Sequence, residues 1–223
     1  MWCIPPKQNA AFVAQMEQVL DVYQRPYDPR YPVICMDESN KQLIGDVQPP
    51  LPLKPGYAKK EDCNYERHGT GNVFIAFEPM RGQRDVTVTT RRTRADWAVY
   101  VKQIVDELYP TADRITLVCD QLNTHTLASL YETFAPDDAH RLARKLELVH
   151  TPKHGSWLNM AEIELSALSR QCLDRRIADL TLLAREVAAW AQERNAHSTT
   201  VHWRFTTADA RIKLASLYPK LLL

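Results

Sequence analysis

The chain has 223 residues, of which 45% are hydrophobic and 25% are charged, and its formal net charge at pH 7 is +1. This composition excludes a disordered chain and a strongly basic protein, so any contact with nucleic acid must come from local patches. No apolar segment approaches the roughly 18 to 20 residues of a membrane-spanning helix, and residues 1–15 lack the features of a signal peptide. We therefore expect a cytoplasmic protein without membrane contact.

The first part of the chain predicts a lead-in helix and a strand that carries a carboxylate. Apolar residues recur at steps of three and four over 9–24, which predicts an amphipathic helix. The apolar run 33–36 predicts a strand that is covered on both faces and ends at Asp37. Residues 46–71 are rich in Pro, Gly and charged side chains, so we expect a long irregular insertion there.

The rest of the chain predicts a hairpin and then alternating helices and strands. Two runs rich in β-branched and aromatic residues flank a turn around Gly82, which is typical of a hairpin. The predicted elements are strands over 73–77 and 85–89, a helix over 95–109, a strand over 115–119, one or two helices between 127 and 146 broken near Pro136, a strand over 146–149, and helices over 156–176 (with Ser156 as N-cap), 180–194 and 207–217.

This order predicts an α/β fold with a mixed five-stranded sheet flanked by helices. The first three strands can form an antiparallel meander, and the helix-separated strands need crossover connections. We expect residues 1–30 to form a lead-in helix and linker, 31–200 to form the main α/β domain, and 201–223 to form a C-terminal helical tail.

Two strands end in a carboxylate at the edge where open α/β sheets tend to bind ligands. Desolvating Asp37 and Asp120 is costly unless a cation or hydrogen-bond donors compensate, so both are candidate metal ligands, although both could simply cap turns. A third candidate lies in the following helix, where Glu162 and Glu164 point in different directions, so that only one of them can face the aspartates. Oxygen-only ligands suit Mg²⁺ or Mn²⁺, and two such ions could support attack on a phosphodiester.

Three motifs stand on these elements: MDES at 36–39, LVCDQLNTH at 117–125 and TPKHGSWLNMAE at 151–162. Together they resemble the catalytic motifs of DDE transposases, in the bacterial insertion-sequence branch of the mariner-like superfamily. The resemblance extends from about residue 2 to the C-terminus. It implies Asp37, Asp120 and Glu162 as the catalytic, metal-binding triad, with Glu162 preferred because the family places its Glu three residues after the motif Asn, here Asn159.

The resemblance also implies a fold and a function. We expect a ribonuclease-H-like fold, metal-dependent DNA cleavage and strand transfer in cut-and-paste transposition, and the use of two Mg²⁺ or Mn²⁺ ions, as in the family. The expected partners are double-stranded DNA, as transposon ends and target, and a second copy of the chain in the active complex. In relatives, the insertion at 46–71 can reach across to a partner subunit, and a surface loop is the alternative.

Two departures from the family pattern keep other functions open. Gln121 follows the second Asp, where the family usually has Asn. Relatives carry an N-terminal helix-turn-helix region that recognises terminal repeats, and no such region precedes residue 2, so we expect an excised catalytic domain or a truncated or split reading frame. The alternatives are an inactive remnant that binds DNA or a partner transposase, and a ribonuclease-H-like nuclease.

Basic side chains suggest where DNA would bind. Five arginines fall within 81–94, and they could hold the phosphate backbone or form a solvated hairpin end. Lys153 and His154 precede the helix of Glu162, so we expect them to contact DNA as well. We expect Glu38 to point to the opposite face of its strand from Asp37, and His125 to orient the turn after Asp120. The five arginines are Arg81, Arg84, Arg91, Arg92 and Arg94.

Overall fold

The computed structural model describes residues 8–49, 54–56 and 62–220. The strands are β1 Val33–Asp46, β2 Tyr65–Glu78, β3 Gln83–Thr89, β4 Ile115–Cys119 and β5 Leu146–His150. The helices are α1 Ala10–Tyr23, α2 Arg94–Gln103, α3 Leu127–Thr133, α4 Pro136–Lys145, α5 Ala161–Leu168, α6 Leu180–Ala196 and α7 Thr207–Lys213. Turns of π-helix continue α2 (Ile104–Leu108) and α5 (Ser169–Leu173), and 3₁₀ turns lie at Ser156–Leu158 and Ala215–Leu217.

The five strands form one mixed sheet in the order β3-β2-β1-β4-β5. β1, β2 and β3 pair antiparallel as a meander, whereas β1, β4 and β5 pair parallel. The parallel pairs require crossovers, which α2 provides between β3 and β4 and which α3 and α4 provide between β4 and β5. The predicted mixed five-stranded sheet flanked by helices is confirmed.

Each face of the sheet buries its own hydrophobic core. Cys35 of β1 packs in a core with α1, α5 and α6, whereas Ile34 and Met36 pack on the other face with α2, α3 and α4. Successive side chains of a strand point to opposite faces. Asp37 therefore shares the α5 face with Cys35, and Glu38 shares the α2 face with Met36, as the sequence predicted.

β1 runs well past the position where the sequence predicted its end. Its parallel pairing with β4 stops at Cys35, but its antiparallel pairing with β2 continues from Cys35 to Asp46. The prediction that the strand ends at Asp37 was wrong, because β2 still supplies hydrogen-bond partners after β4 has ended. The insertion is correspondingly shorter than 46–71, since Tyr65–Gly71 belong to β2, and residues 50–53 and 57–61 lie outside the described residues.

The edge of β1 that β4 leaves open is covered by the segment that follows α5. The Lys41 ammonium donates to the carbonyl oxygens of Leu173 at 2.6 Å and Arg175 at 2.9 Å, and the Ile44 amide donates to the carbonyl of Ile177 at 2.8 Å. An uncovered strand edge would present unpaired backbone groups to other chains. This cover holds the far half of β1 in place.

The predicted helix over 156–176 is interrupted at its start. Ser156 opens a 3₁₀ turn and does not cap a helix, and α5 begins only at Ala161. The Asn159 side chain accepts a hydrogen bond from the Ala161 amide at 3.1 Å, which satisfies one of the free amide groups that every helix start exposes. Glu162 consequently lies in the first turn of α5.

The C-terminal elements pack against α1. The Asn9 amide donates to the Leu217 carbonyl at 3.0 Å, and Arg211 of α7 forms an ion pair with Glu17 of α1 at 2.8 Å. Ala210 and Leu217 are buried in the same core as α1. Among the described helices, none combines the length and apolar content that crossing a membrane would require.

Candidate active site

The register of the parallel strands brings the two aspartates to the same level. Cys35 of β1 lies opposite Val118 of β4, and Asp37 and Asp120 each follow two residues later. Asp120 is the first residue after β4, at the carboxyl end of the parallel strands. Open α/β sheets bind their ligands at this end.

Asp37 is a largely buried carboxylate with acidic neighbours. Its Oδ1 accepts a hydrogen bond from the Glu38 amide at 2.8 Å, and its Oδ2 lies 3.4 Å from the Asn159 side-chain nitrogen. Burial raises the pKa of Asp37 to about 7, and the charges of Glu162, Asp120 and Glu38 add to this increase. The carboxylate therefore lies where a bound cation would relieve both burial and repulsion.

Asn159 connects the strand of Asp37 to the helix of Glu162. This amide is 1% exposed, and its nitrogen donates to the Met36 carbonyl at 2.9 Å while its oxygen caps the start of α5. A side chain with both a donor and an acceptor can make these two contacts at once. Asn159 thereby sets the position of Glu162 relative to Asp37.

Asp120 is held by a buried histidine. The His125 Nδ1 lies 2.6 Å from Asp120 Oδ1, and the Leu122 amide donates to the same oxygen at 3.3 Å. Burial alone would raise the pKa of Asp120, but the contact with His125 outweighs it and lowers that pKa below its ordinary value. Both contacts engage Oδ1, so within the described residues the second oxygen of Asp120 is left for another ligand.

The other nitrogen of His125 faces Glu38. Its Nε2 lies 3.1 Å from Glu38 Oε2, and its ring stacks on Trp97 with a centroid separation of 5.7 Å. Burial alone would lower the pKa of His125, but its contacts with Asp120, Cys119 and Glu38 raise that pKa to about 12. The imidazole thus lies between the carboxylate of Glu38, which is in β1, and that of Asp120, which follows β4.

The two glutamates of α5 have different surroundings. The Glu162 carboxylate makes no hydrogen bond or ion pair with any residue that the structure describes, and its charge contributes to the raised pKa of Asp37. Glu164 is fully buried and has two arginine partners. Of these two glutamates, Glu162 is therefore the one whose carboxylate is available to the aspartates.

Glu164 forms a buried ion cluster with Arg84 of β3 and Arg194 of α6. The distances are 2.9 Å to each arginine, and the side chains of Arg84 and Glu164 are 0% exposed. Asn195 of α6 accepts from the Arg84 guanidinium at 3.1 Å. The prediction that Arg84 contacts DNA was wrong, because its guanidinium is inside the protein and paired.

The remaining predicted arginines lie at opposite ends of the sheet. Arg81 lies in the turn between β2 and β3, at the end away from the carboxylates, and 3.8 Å from Glu78. Arg91, Arg92 and Arg94 follow β3 at the carboxylate end and are exposed. The structure therefore separates Arg81 from the candidate site and leaves the other three on its side of the sheet.

Lys153 and His154 border a cavity beside Asp120. This cavity has a volume of about 200 Å³, and Gln121 also lines it. Both basic residues are exposed, and His154 has a φ of 65°, which belongs to the tight turn after β5. The two residues predicted to approach DNA thus lie next to a candidate ligand carboxylate.

A separate cavity of about 340 Å³ is lined in part by Arg81, Arg84 and Tyr109. The cavity beside Asp120 is the one that adjoins the candidate site.

The three candidate carboxylates do not form a closed metal cage. Within residues 8–49, 54–56 and 62–220, no three His, Cys, Asp or Glu side chains are grouped closely enough to hold a metal ion. Asp37, Asp120 and Glu162 nevertheless lie near enough for the last two to raise the pKa of the first.

The roles of two residues of the site, His125 and Asn159, were underestimated from the sequence. It assigned His125 only to the turn after Asp120, and it used Asn159 only to choose between the two glutamates. The structure places both in direct contact with an aspartate, at 2.6 Å for His125 and at 3.4 Å for Asn159. The available signal was their spacing, since each polar residue lies within a few positions of a candidate ligand.

The fold and the site define an α/β domain with carboxylates at the carboxyl end of its parallel strands. The model of the DDE superfamily endonuclease family matches residues 32–184 of this chain. The chain belongs to this family. Among curated protein sequences, none is significantly similar to the chain.

Solved structures of similar fold come from the Mos1 mariner transposase. The Mos1 paired end complex with Mn has 11% identity and a TM-score of 0.55, with 88% of this chain and 61% of the Mos1 chain covered. The Mos1 strand transfer complex has 13% identity and a TM-score of 0.57, with 88% and 60% covered. The Mos1 catalytic domain has 10% identity and a TM-score of 0.52, with 88% of this chain and 96% of the Mos1 chain covered.

The chain therefore spans about 60% of the length of the Mos1 chains in those two complexes. At these identities, the likeness establishes the fold. The expected ribonuclease-H-like fold is confirmed, because the mixed sheet with its flanking helices matches that of the transposase catalytic domain.

Proposed function

We propose that this chain is the catalytic domain of a transposase, which cleaves DNA at transposon ends and joins the new 3′-ends to target DNA. The observation that carries the proposal is the convergence of Asp37, Asp120 and Glu162 at the carboxyl end of the parallel strands. Family membership supports the endonuclease activity, and the similar Mos1 strand transfer complex supports the joining step. Placement in the bacterial insertion-sequence branch stays a prediction.

The donor set fits divalent metal ions. All three candidate ligands are carboxylates, and Asp37 is a largely buried acid beside two like charges. Oxygen donors of this kind suit Mg²⁺ and Mn²⁺, and a Mos1 complex with Mn supports the same choice here. We propose that Asp37, Asp120 and Glu162 hold two such ions.

Bound ions would supply Lewis-acid stabilisation of the attacking and leaving oxygens of the phosphodiester. The protein would supply position: β1 and β4 fix the two aspartates at one level, and Asn159 fixes the start of the helix that bears Glu162. Burial of Asp37 would also limit access of water to that side of the site.

Metal binding tests the proposal directly. We expect Mn²⁺ to bind the wild-type protein in a calorimetric titration at pH 8 and to bind more weakly at pH 6, because Asp37 must lose its proton, and its pKa is about 7. Asp120→Ala should remove most of the binding heat. If Asp120→Ala bound Mn²⁺ as tightly as the wild type, the proposed site would be wrong.

Products then separate the proposed function from its alternatives. A transposase joins a 3′-end to new DNA, whereas a ribonuclease-H-like nuclease only cleaves, and an inactive remnant does neither. The substrate should be a DNA duplex that carries the terminal repeats of the element. Cleavage without any joined product would favour the nuclease.

We propose that double-stranded DNA passes over the carboxylate end of the sheet. Lys153 and His154 beside Asp120 are exposed there, as are Arg91, Arg92 and Arg94. Cations placed along a DNA path bind phosphates and release counterions. A paired end complex of Mos1 is among the similar structures, and we propose that two copies of this chain assemble on DNA.

Lys153→Ala is expected to weaken DNA binding and to reduce its dependence on salt. Loss of one phosphate contact should lower the slope of log affinity against log salt concentration by about one. Fluorescence anisotropy with a labelled duplex at several salt concentrations measures this slope. Lys145→Ala is the matched control, because Lys145 precedes β5 at the opposite end of the sheet. Equal slopes for both variants would show that Lys153 does not contact DNA phosphates.

A further inference from the structure

The side chain of His125 lies between two carboxylates and is fully buried. Its Nδ1 is 2.6 Å from Asp120 Oδ1, and its Nε2 is 3.1 Å from Glu38 Oε2. The side chain of Glu38 is itself only 3% exposed, whereas that of Asp120 is 32% exposed. The chain of contacts therefore runs from the interior of the domain to the candidate metal site.

The surroundings of His125 hold the imidazole in this orientation. Trp97 stacks against its ring, and the His150 ring nitrogen lies 2.8 Å from its backbone carbonyl oxygen. The His125 amide donates to the Leu122 carbonyl at 3.0 Å, which closes the turn after Asp120. Ring and backbone are thus both restrained, and the ring cannot rotate without disturbing this packing.

We propose that His125 and Glu38 are positioning residues for Asp120. Glu38 holds one nitrogen of the imidazole, and the other nitrogen holds Oδ1 of Asp120, so that Oδ2 is the oxygen presented to the metal site. The inference rests on the proposed function. A ligand that is already oriented loses less conformational freedom when the ion binds, and partners of this kind typically change metal affinity or activity by about 10-fold to 100-fold.

The same geometry argues against His125 as a metal ligand. A histidine that coordinates a metal uses the lone pair of one ring nitrogen. Both nitrogens of His125 face carboxylate oxygens, and the ring is 0% exposed. Its action on the metal site would therefore pass through Asp120.

Two substitutions at His125 separate its two contacts. The amide nitrogen of Asn lies about as far from the backbone as Nδ1 of His, and that of Gln about as far as Nε2. His125→Asn therefore keeps a donor for Asp120, and His125→Gln keeps one for Glu38 alone. We expect His125→Gln to bind Mn²⁺ about 10-fold to 100-fold more weakly than the wild type, and His125→Asn to recover most of that loss.

The readouts are the Mn²⁺ affinity from calorimetry and the thermal midpoint of the metal-free protein. A purely structural role would lower the thermal midpoint of both variants and leave the Mn²⁺ affinity of the folded protein unchanged, which would overturn the inference. If neither variant folds, Glu38→Gln preserves size and should still weaken Mn²⁺ binding, and unchanged affinity would overturn the inference. Wild-type protein that binds no Mn²⁺ would instead overturn the proposed function, and this inference with it.

Discussion

Glu162→Gln is expected to abolish DNA cleavage while the domain stays folded. The amide keeps the size of the side chain but removes the charge that a divalent ion needs from its ligand. Glu162 makes no ion pair or hydrogen bond through its carboxylate within the described part of the chain, so the fold does not depend on that charge. We expect the cleavage rate to fall by about 1,000-fold, which corresponds to about 4 kcal/mol of lost transition-state stabilisation.

The rate is measured as single-turnover cleavage of a duplex that carries the terminal repeats, with Mn²⁺ or Mg²⁺ present. Glu193→Gln on α6 is the matched control, because this glutamate is exposed and lies outside the candidate site. Circular dichroism and the thermal midpoint verify the fold of both variants. Retained cleavage in Glu162→Gln would show that another carboxylate completes the site.

Glu164→Gln should have the opposite effect, with a large loss of stability. Glu164 is the shared partner of Arg84 and Arg194, and loss of its charge leaves the buried Arg84 guanidinium and the partly buried Arg194 guanidinium without a compensating anion. Breaking a buried ion pair by removing one partner typically costs about 3–5 kcal/mol. We therefore expect the free energy of unfolding to fall by about that amount.

Urea denaturation followed by circular dichroism gives the free energy of unfolding for each variant. Glu186→Gln is the comparison, because Glu186 pairs with Arg175 and Arg185 at the surface, where ion pairs contribute little. A small change in Glu164→Gln, similar to that in Glu186→Gln, would mean that water or a shifted side chain compensates the arginines.

The sequence predicted the elements well because their patterns are local. Buried apolar runs gave β4 and β5 almost to the residue, and helical spacing gave α1 and α6 within two residues of their ends. The end of β1 was missed because its continuation depends on pairing with β2, which no local pattern encodes. The start of α5 was missed because Asn159, two residues before it, caps a helix that Ser156 was expected to begin.

The candidate ligands could be named from the sequence, but the residues that support them could not. Motif resemblance singled out Asp37, Asp120 and Glu162, which the fold then brings to one end of the sheet. The burial of Arg84 could not be predicted, because an arginine in a charged segment looks the same whether it faces solvent or a buried acid. The partner that decides the matter, Glu164, lies eighty positions further along the chain.

The helix that carries Glu162 is tied to the strand of Asp37 on both sides. Asn159 joins the start of α5 to the Met36 carbonyl, and Lys41 joins β1 to the Leu173 carbonyl after the helix has ended. The carboxylates of Asp37 and Glu162 therefore belong to one rigid unit and should move together when the domain flexes. Asp120 follows a different strand, β4, and its side chain contacts β1 through His125 and Glu38, so a change in spacing between the ligands would come from displacement of β4 against that unit.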